Sequence, residues 1–311
     1  MPRITLDAAP LRLTIDPELG ASITDFSIEG PCGDRYPLMR RAPDQPTEPG
    51  QCASFVMAPW TNRIEHAAFD FAGTHHRLRA NFPDGTAIHG VARDAPWRIT
   101  DRTPVSARLV YDSRAHESAN FPFVFACVQR FELAPDHLEV ELSVTNLDDR
   151  PMPAALGHHP FFPRVLFAAK EEALLHAPVA GRYPADRCLP TAHAAPDEHC
   201  ARLSTNAPVG NHGLDDVFAG FAGRATITWP GSGVRLTMDC SDALDHLVVF
   251  TPRLDPADPA APPLPWFCVE PCSAVNNAFN LAARGWAHTG TRTLEPAQTL
   301  AATVFYHIER L

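Results

Sequence analysis

Prolines occur 32 times in this 311-residue chain, about twice the ~5% share of an ordinary globular protein. Each one lacks a backbone N–H and clashes with the helical turn before it, so long helices have few places to run. Between these breakers the legible pattern has a period of two. In residues 137 to 145, Leu138, Val140, Leu142 and Val144 alternate with Glu139, Glu141, Ser143 and Thr145, which buries one face of a strand and wets the other. Residues 225 to 240 read as a hairpin, with alternation on both sides of a Pro230–Gly233 turn. Further strand candidates are residues 10 to 16, 21 to 28, 67 to 72, 75 to 80, 107 to 112, 121 to 133, 246 to 251, 266 to 270 and 300 to 308. No stretch carries an apolar repeat of 3.6 over ten residues or more; the best, 165 to 176, is short and stops before Pro178.

The expected fold is therefore all-β, a single large antiparallel β-sandwich occupying residues 1 to 311 as one domain, since no change of composition marks a linker. The most proline-rich stretch, residues 252 to 265, lies between two strand candidates and reads as a stiff surface excursion. Hydrophobic residues at 45% and charged residues at 20% supply a core and exclude a disordered chain.

Charge narrows the function. Lys plus Arg number 26 and Asp plus Glu 36, a net charge of −10, which repels phosphate backbones and disfavours nucleic acid as a partner. The one lysine, Lys170, is followed by Glu171 and Glu172, a poor setting for a desolvated Schiff-base amine. No uncharged run reaches the ~18 residues of a membrane span, and the first sixteen residues lack the apolar centre of a signal peptide. A cytoplasmic protein without a membrane partner is expected, and its eight dispersed cysteines are expected to be free thiols.

The familiar catalytic fingerprints are missing. Gly231-Ser-Gly233 lies in a hairpin and lacks a third glycine, and the chain contains no Gly-Lys, HExxH, GxSxG or HxH, so nucleotide, zincin and hydrolase-elbow readings lose their support. What remains is ionisable side chains set among apolar and aromatic ones: Arg63 in PWTNRI, His89 in AIHG, His158 and His159 in LGHHPFF, and Glu270 in WFCVEP.

NRI at 62 to 64, FDFAG at 69 to 73, IHG at 88 to 90, MPAALGHHPFF at 152 to 162, LDDVF at 214 to 218 and VEP at 269 to 271 together resemble aldose 1-epimerases of the galactose mutarotase-like superfamily. The resemblance spans most of the chain, in the family's order. It implies an antiparallel β-sandwich with a sugar held on its concave face. It also implies roles: Glu270 as general base, His159 as general acid, and Arg63, His89 and Asp215, with Asn62 of the same NRI, as contacts to the sugar. His158 doubles the histidine and Asp216 the aspartate, so the register stays open by one residue at each place.

Such an enzyme opens a pyranose hemiacetal and closes it on the other face, which needs one proton removed and one delivered. Neither a metal nor a redox cofactor is required, and none is expected. A hexose-6-phosphate 1-epimerase on the same scaffold would need added cations, for which Arg93 and Arg98 are the candidates, and a non-catalytic sugar-binding sandwich would keep the cleft without the acid–base pair. The partner expected is a small sugar. The sequence names neither that sugar nor an oligomeric state.

Overall fold

The computed structural model describes residues 2–116 and 119–311. Two large antiparallel sheets dominate it, of ten and nine strands, and a hydrophobic core draws on both. The second sheet holds the alternating segments. His137–Asn146 lies between Phe125–Leu133 and Thr299–Arg310, and the hairpin of Arg224–Trp229 and Val234–Cys240 extends it. Leu138, Val140, Leu142 and Val144 are buried on its inner face, whereas Glu139 and Glu141 lie on the outer one. Strand pairing supplies the backbone hydrogen bonds, and the apolar face supplies the burial that a two-stranded hairpin alone would lack.

The first sheet runs in the order Ile4–Ala8, Leu11–Asp16, Ser22–Glu29, Ser54–Met57, Gly157–Pro163, Trp266–Cys272, His246–Phe250, Asp215–Ala219 and Gly181–Arg182, with the tenth strand, Arg35–Met39, pairing beside Ser22–Glu29 off this path. Its central strands are covered on both faces. Ser54–Met57 is buried throughout, as are six consecutive residues of Gly157–Pro163 and of Trp266–Cys272. One face packs towards the second sheet, where Val249 and Leu175, one from each sheet, line the same small internal hollow. The other lies beneath loops, of which 58 to 62 is tied down by Thr61 Oγ1 donating to the Ala274 carbonyl at 3.1 Å.

Most of the strands expected from the sequence form around their centres, and further strands form that alternation does not mark. The strand expected over 121 to 133 begins at Phe125, because Phe121 and Phe123 instead pack as side chains against Trp60, Phe69 and Phe71. Strands Ile4–Ala8, Ser54–Met57 and Asp215–Ala219 went unanticipated, as did two six-residue helices, Glu198–Leu203 and Ala278–Ala283. Asp197 explains the first helix, its carboxylate accepting from the Cys200 amide at 3.0 Å as an N-cap. The 165 to 176 segment forms turns ending in the strand Leu174–His176. The proline-rich excursion is mostly exposed and folds back on itself, with Leu254 N donating to Pro262 O and Leu264 N to Pro252 O.

Candidate active site

Strand register assembles the site. Gly157 pairs with Cys272 and Phe161 with Cys268, so His159, midway in one strand, lies directly across from Glu270, midway in the other. Regular pairing lapses between those two points. Pro160 and Pro271 fall there, and neither can donate to the ladder. Gly157 is needed for the close approach of the strands: a Cβ on it would lie 2.8 Å from the Pro271 carbonyl oxygen.

His159 Nε2 sits 3.2 Å from Glu270 Oε1. Both side chains are buried, and both keep an atom without a partner, Nδ1 of His159 and Oε2 of Glu270. Burial and the nearby Arg93 push the His159 imidazole down to about 3. Burial first, then Asp215, pushes the Glu270 carboxyl well above the ordinary carboxylate range. Both directions favour the neutral form of the pair, a carboxylic acid beside a neutral imidazole.

Phe55 and Phe161 stack on the His159 ring at centroid separations of 4.5 and 4.6 Å. His89 meets the same ring edge-on at 5.2 Å. His89 is held at φ 64, its amide donating to the Asn62 carbonyl at 2.9 Å, and its Nδ1 is buried without a partner. The following Gly90 permits this turn, since a Cβ there would lie 1.9 Å from the Ala58 carbonyl oxygen. Burial, then Arg93, lowers the His89 pKa far enough to keep the ring neutral.

Arg63 is braced by two neighbours, donating from Nε to Asp84 Oδ2 at 2.9 Å and from Nη1 to Asn62 Oδ1 at 3.1 Å. Its Nη2 lies 3.9 Å from Asp215 Oδ2. Asp215 is in register with Phe250, which is in register with Cys268, so all three share the face that carries Glu270.

The two open registers now have geometric answers. His158 points to the opposite side of its strand, is buried between the sheets, and is not part of the cluster around Glu270. Asp216 likewise turns away and pairs with Arg182 at 3.0 Å. The structure thus brings Glu270, His159 and His89 into one cluster, with Arg63, Asn62 and Asp215 forming a linked group beside it. Arg98 lies on the exposed strand Arg98–Arg102 of the second sheet, whereas Arg93 stacks its guanidinium 5.0 Å from the Phe55 ring centroid.

Several residues of this region escaped the sequence reading. Arg40 lies 3.7 Å over the Phe161 ring centroid and donates from Nη2 to the Cys52 carbonyl at 2.8 Å; nothing around it in sequence resembles a motif. Cys188 occupies the turn between Ala185–Asp186 and Leu189–Pro190 and donates from Sγ to Asp215 Oδ2 at 3.1 Å. Asn276 holds that turn, donating to the Cys188 carbonyl at 2.7 Å. Cys268 sits on the Glu270 face, with Sγ within 4.8 Å of the ligand atoms of His159 and Glu270. All eight cysteines are unpaired.

The chain matches the Aldose 1-epimerase family over residues 2–306. It belongs to that family. The uncharacterised Escherichia coli K12 protein YphB is 27% identical over 277 residues, covering 86% of this chain and 87% of its own. A galactose mutarotase-like protein from Clostridium acetobutylicum superposes with a TM-score of 0.82 at 19% identity, over 99% of this chain and 95% of that one. A galactose 1-epimerase from Lactobacillus acidophilus gives 0.72 at 17%, over 99% and 94%. This epimerase-family chain thus shares its fold with galactose mutarotase-like proteins across its length.

Proposed function

We propose that the protein is a cofactor-free aldose 1-epimerase that interconverts the α and β anomers of a free aldose, with Glu270 as base and His159 as acid. The observation that carries this reading is the buried His159–Glu270 contact at 3.2 Å with an unpartnered polar atom on each side chain. In ring opening the Glu270 carboxylate takes the proton of the C1 hydroxyl, His159 delivers its proton to the ring oxygen, and the bond between C1 and that oxygen breaks. The product is an open aldehyde, a carboxylic acid and a neutral imidazole. Rotation about C1–C2 turns the other face of the aldehyde to the ring-closing hydroxyl, and closure returns both protons.

Only one proton is shared by the pair throughout, so no exchange with solvent is needed. The neutral arrangement favoured by burial is the one reached after opening. The ionised arrangement that opening requires is the less stable of the two in this buried setting, so it must first form by transfer of the shared proton from Glu270 to His159, at a cost that hydrogen bonds from the sugar hydroxyls to the charged pair offset. Arg63, Asn62, His89 and Asp215 hold the sugar hydroxyls in this reading, and the buried, unpartnered Nδ1 of His89 is an atom that a polyhydroxylated ring would satisfy.

Polarimetry on freshly dissolved α-D-galactose, α-D-glucose, D-xylose and L-arabinose tests the reading, alongside the corresponding 6-phosphates of the hexoses. Acceleration with free sugars at micromolar protein or below supports it. Acceleration with the phosphates alone would move the assignment to a sugar-phosphate epimerase, and none with any sugar would favour a binding protein.

A further inference from the structure

We propose that His159, Cys268 and Glu270 form a three-ligand site for a divalent cation of the zinc type, and that occupation of this site inhibits the protein; the inhibitory part rests on the acid–base reading of the same pair. The three ligand atoms lie within 4.8 Å of one another, and all three residues are buried. Cys268 and Glu270 stand two residues apart on one face of Trp266–Cys272, and His159 reaches in from the neighbouring strand. No sequence spacing could show this, because the ligands come from two strands more than a hundred residues apart.

Nitrogen, sulfur and carboxylate oxygen are the donors that zinc takes, at about 2.0 to 2.3 Å from the metal, in tetrahedral sites. Such bonds set the donors about 3.3 to 3.8 Å apart, so closing the cluster round an ion needs side-chain movement of the order of 1 Å. Glu270 Oε2 has no partner, which leaves the carboxylate an uncommitted acceptor. A cation neutralised by one thiolate and one carboxylate also avoids burying net charge. The fourth position stays open, as in zinc sites that bind small molecules.

Two features make the site reversible. A zinc-bound histidine ordinarily donates its second nitrogen to a carbonyl or carboxylate, and losing that partner costs ~10- to 100-fold in affinity; His159 Nδ1 has none. Arg40 and Arg93 also lie close to the His159 ring and repel a cation. Binding exchanges protons for metal without redox change: the proton shared by the pair and that of the Cys268 thiol leave to solvent, and bonds from the metal to Nε2, Sγ and a carboxylate oxygen form. With that shared proton gone and both groups committed, neither transfer of the ring-opening step can run.

The test uses cobalt(II), whose thiolate charge-transfer and tetrahedral d–d absorptions report ligand type without reference to activity. Titration of the intact protein should give one equivalent with both signatures, displaced by zinc. Cys268→Ser should abolish the charge-transfer band, while Cys272→Ser, the next cysteine on the same strand face, should keep it. His159→Asn, which keeps the thiol, should weaken cobalt binding by ~10-fold or more and guards against a Cys268→Ser protein that fails to fold. Zinc should slow mutarotation, relieved by EDTA and by excess sugar. A missing band, or a band that survives Cys268→Ser or disappears equally with Cys272→Ser, would overturn the site, whereas full turnover at saturating zinc or stimulation by zinc would overturn the inhibition. A protein that binds cobalt through Cys268 yet never accelerates mutarotation would keep the metal site and remove the epimerase reading; the converse would remove the metal site alone.

Discussion

The strand His137–Asn146 in the second sheet and the strand Trp266–Cys272 in the first both carry glutamate among apolar residues, and they read very differently. In the former, apolar and polar residues alternate because one face meets water. In the latter, Phe267 to Cys272 are all buried, and the one charged residue among them, Glu270, faces His159 instead of solvent. A polar residue in an alternating strand marks the wet face. In a strand covered on both sides it has no structural reason to be there, and burying it is costly unless something else needs it.

The sharpest way to break this comparison is to make the same chemical change in both strands. Glu270→Gln keeps the shape of the side chain and removes the base, so kcat should fall by ~10²-fold or more, whereas Glu141→Gln on the outer face of the second sheet should leave the kinetics unchanged. Equal effects in a polarimetric assay would erase the distinction. In the opposite sense, Leu142→Ala, on the buried side of that same second-sheet strand, should cost about 2 to 5 kcal/mol of stability in chemical denaturation with kcat of the folded fraction intact.

Register gives a finer contrast within one strand. His159→Asn should depress kcat, while His158→Asn, buried among apolar residues between the sheets, should change the melting temperature more than the rate. If His158→Asn abolished turnover and His159→Asn did not, the facing of Gly157–Pro163 would be wrong. Arg63→Ala should act mainly on KM, because Arg63 is assigned to hold the sugar in ground and transition states alike; a fall confined to kcat would place it at the reacting atoms. Smallest of all, replacing Asp255 to Pro263 by a short Gly-Ser linker should leave the thermal midpoint nearly unchanged, since that excursion is mostly exposed. A collapse of stability would show that it belongs to the core.

These contrasts also explain what the sequence could and could not reveal. Strands with one wet face announce themselves by period two, which is why the segments around Leu138 to Val144 and Ala225 to Cys240 were legible. Ser54–Met57 and Gly157–Pro163 have no wet face and so no alternation, and Pro160 argues locally against a central strand. Those are the strands that carry Phe55 and His159. Glu270 and His159 stand out in the sequence as ionisable residues in apolar settings, but their roles come only from a family resemblance, and neither a 157-to-272 register nor a 3.2 Å contact is written in any local pattern. Arg40, Cys188 and Cys268 lay beyond reach for the same reason: each matters through a neighbour distant in sequence, and a lone arginine or cysteine in an apolar stretch looks like any other.

The central claim is that Glu270 and His159 act as one unit, one taking a proton as the other gives one. Polarimetric rates for the wild type, Glu270→Gln, His159→Asn and the double variant test it most directly. The account predicts that each single change lowers kcat by ~10²-fold or more and that the double variant is little slower than the slower single one, because removing either member already disables the pair. Losses that multiply, or a single variant that keeps near-normal kcat, would contradict it.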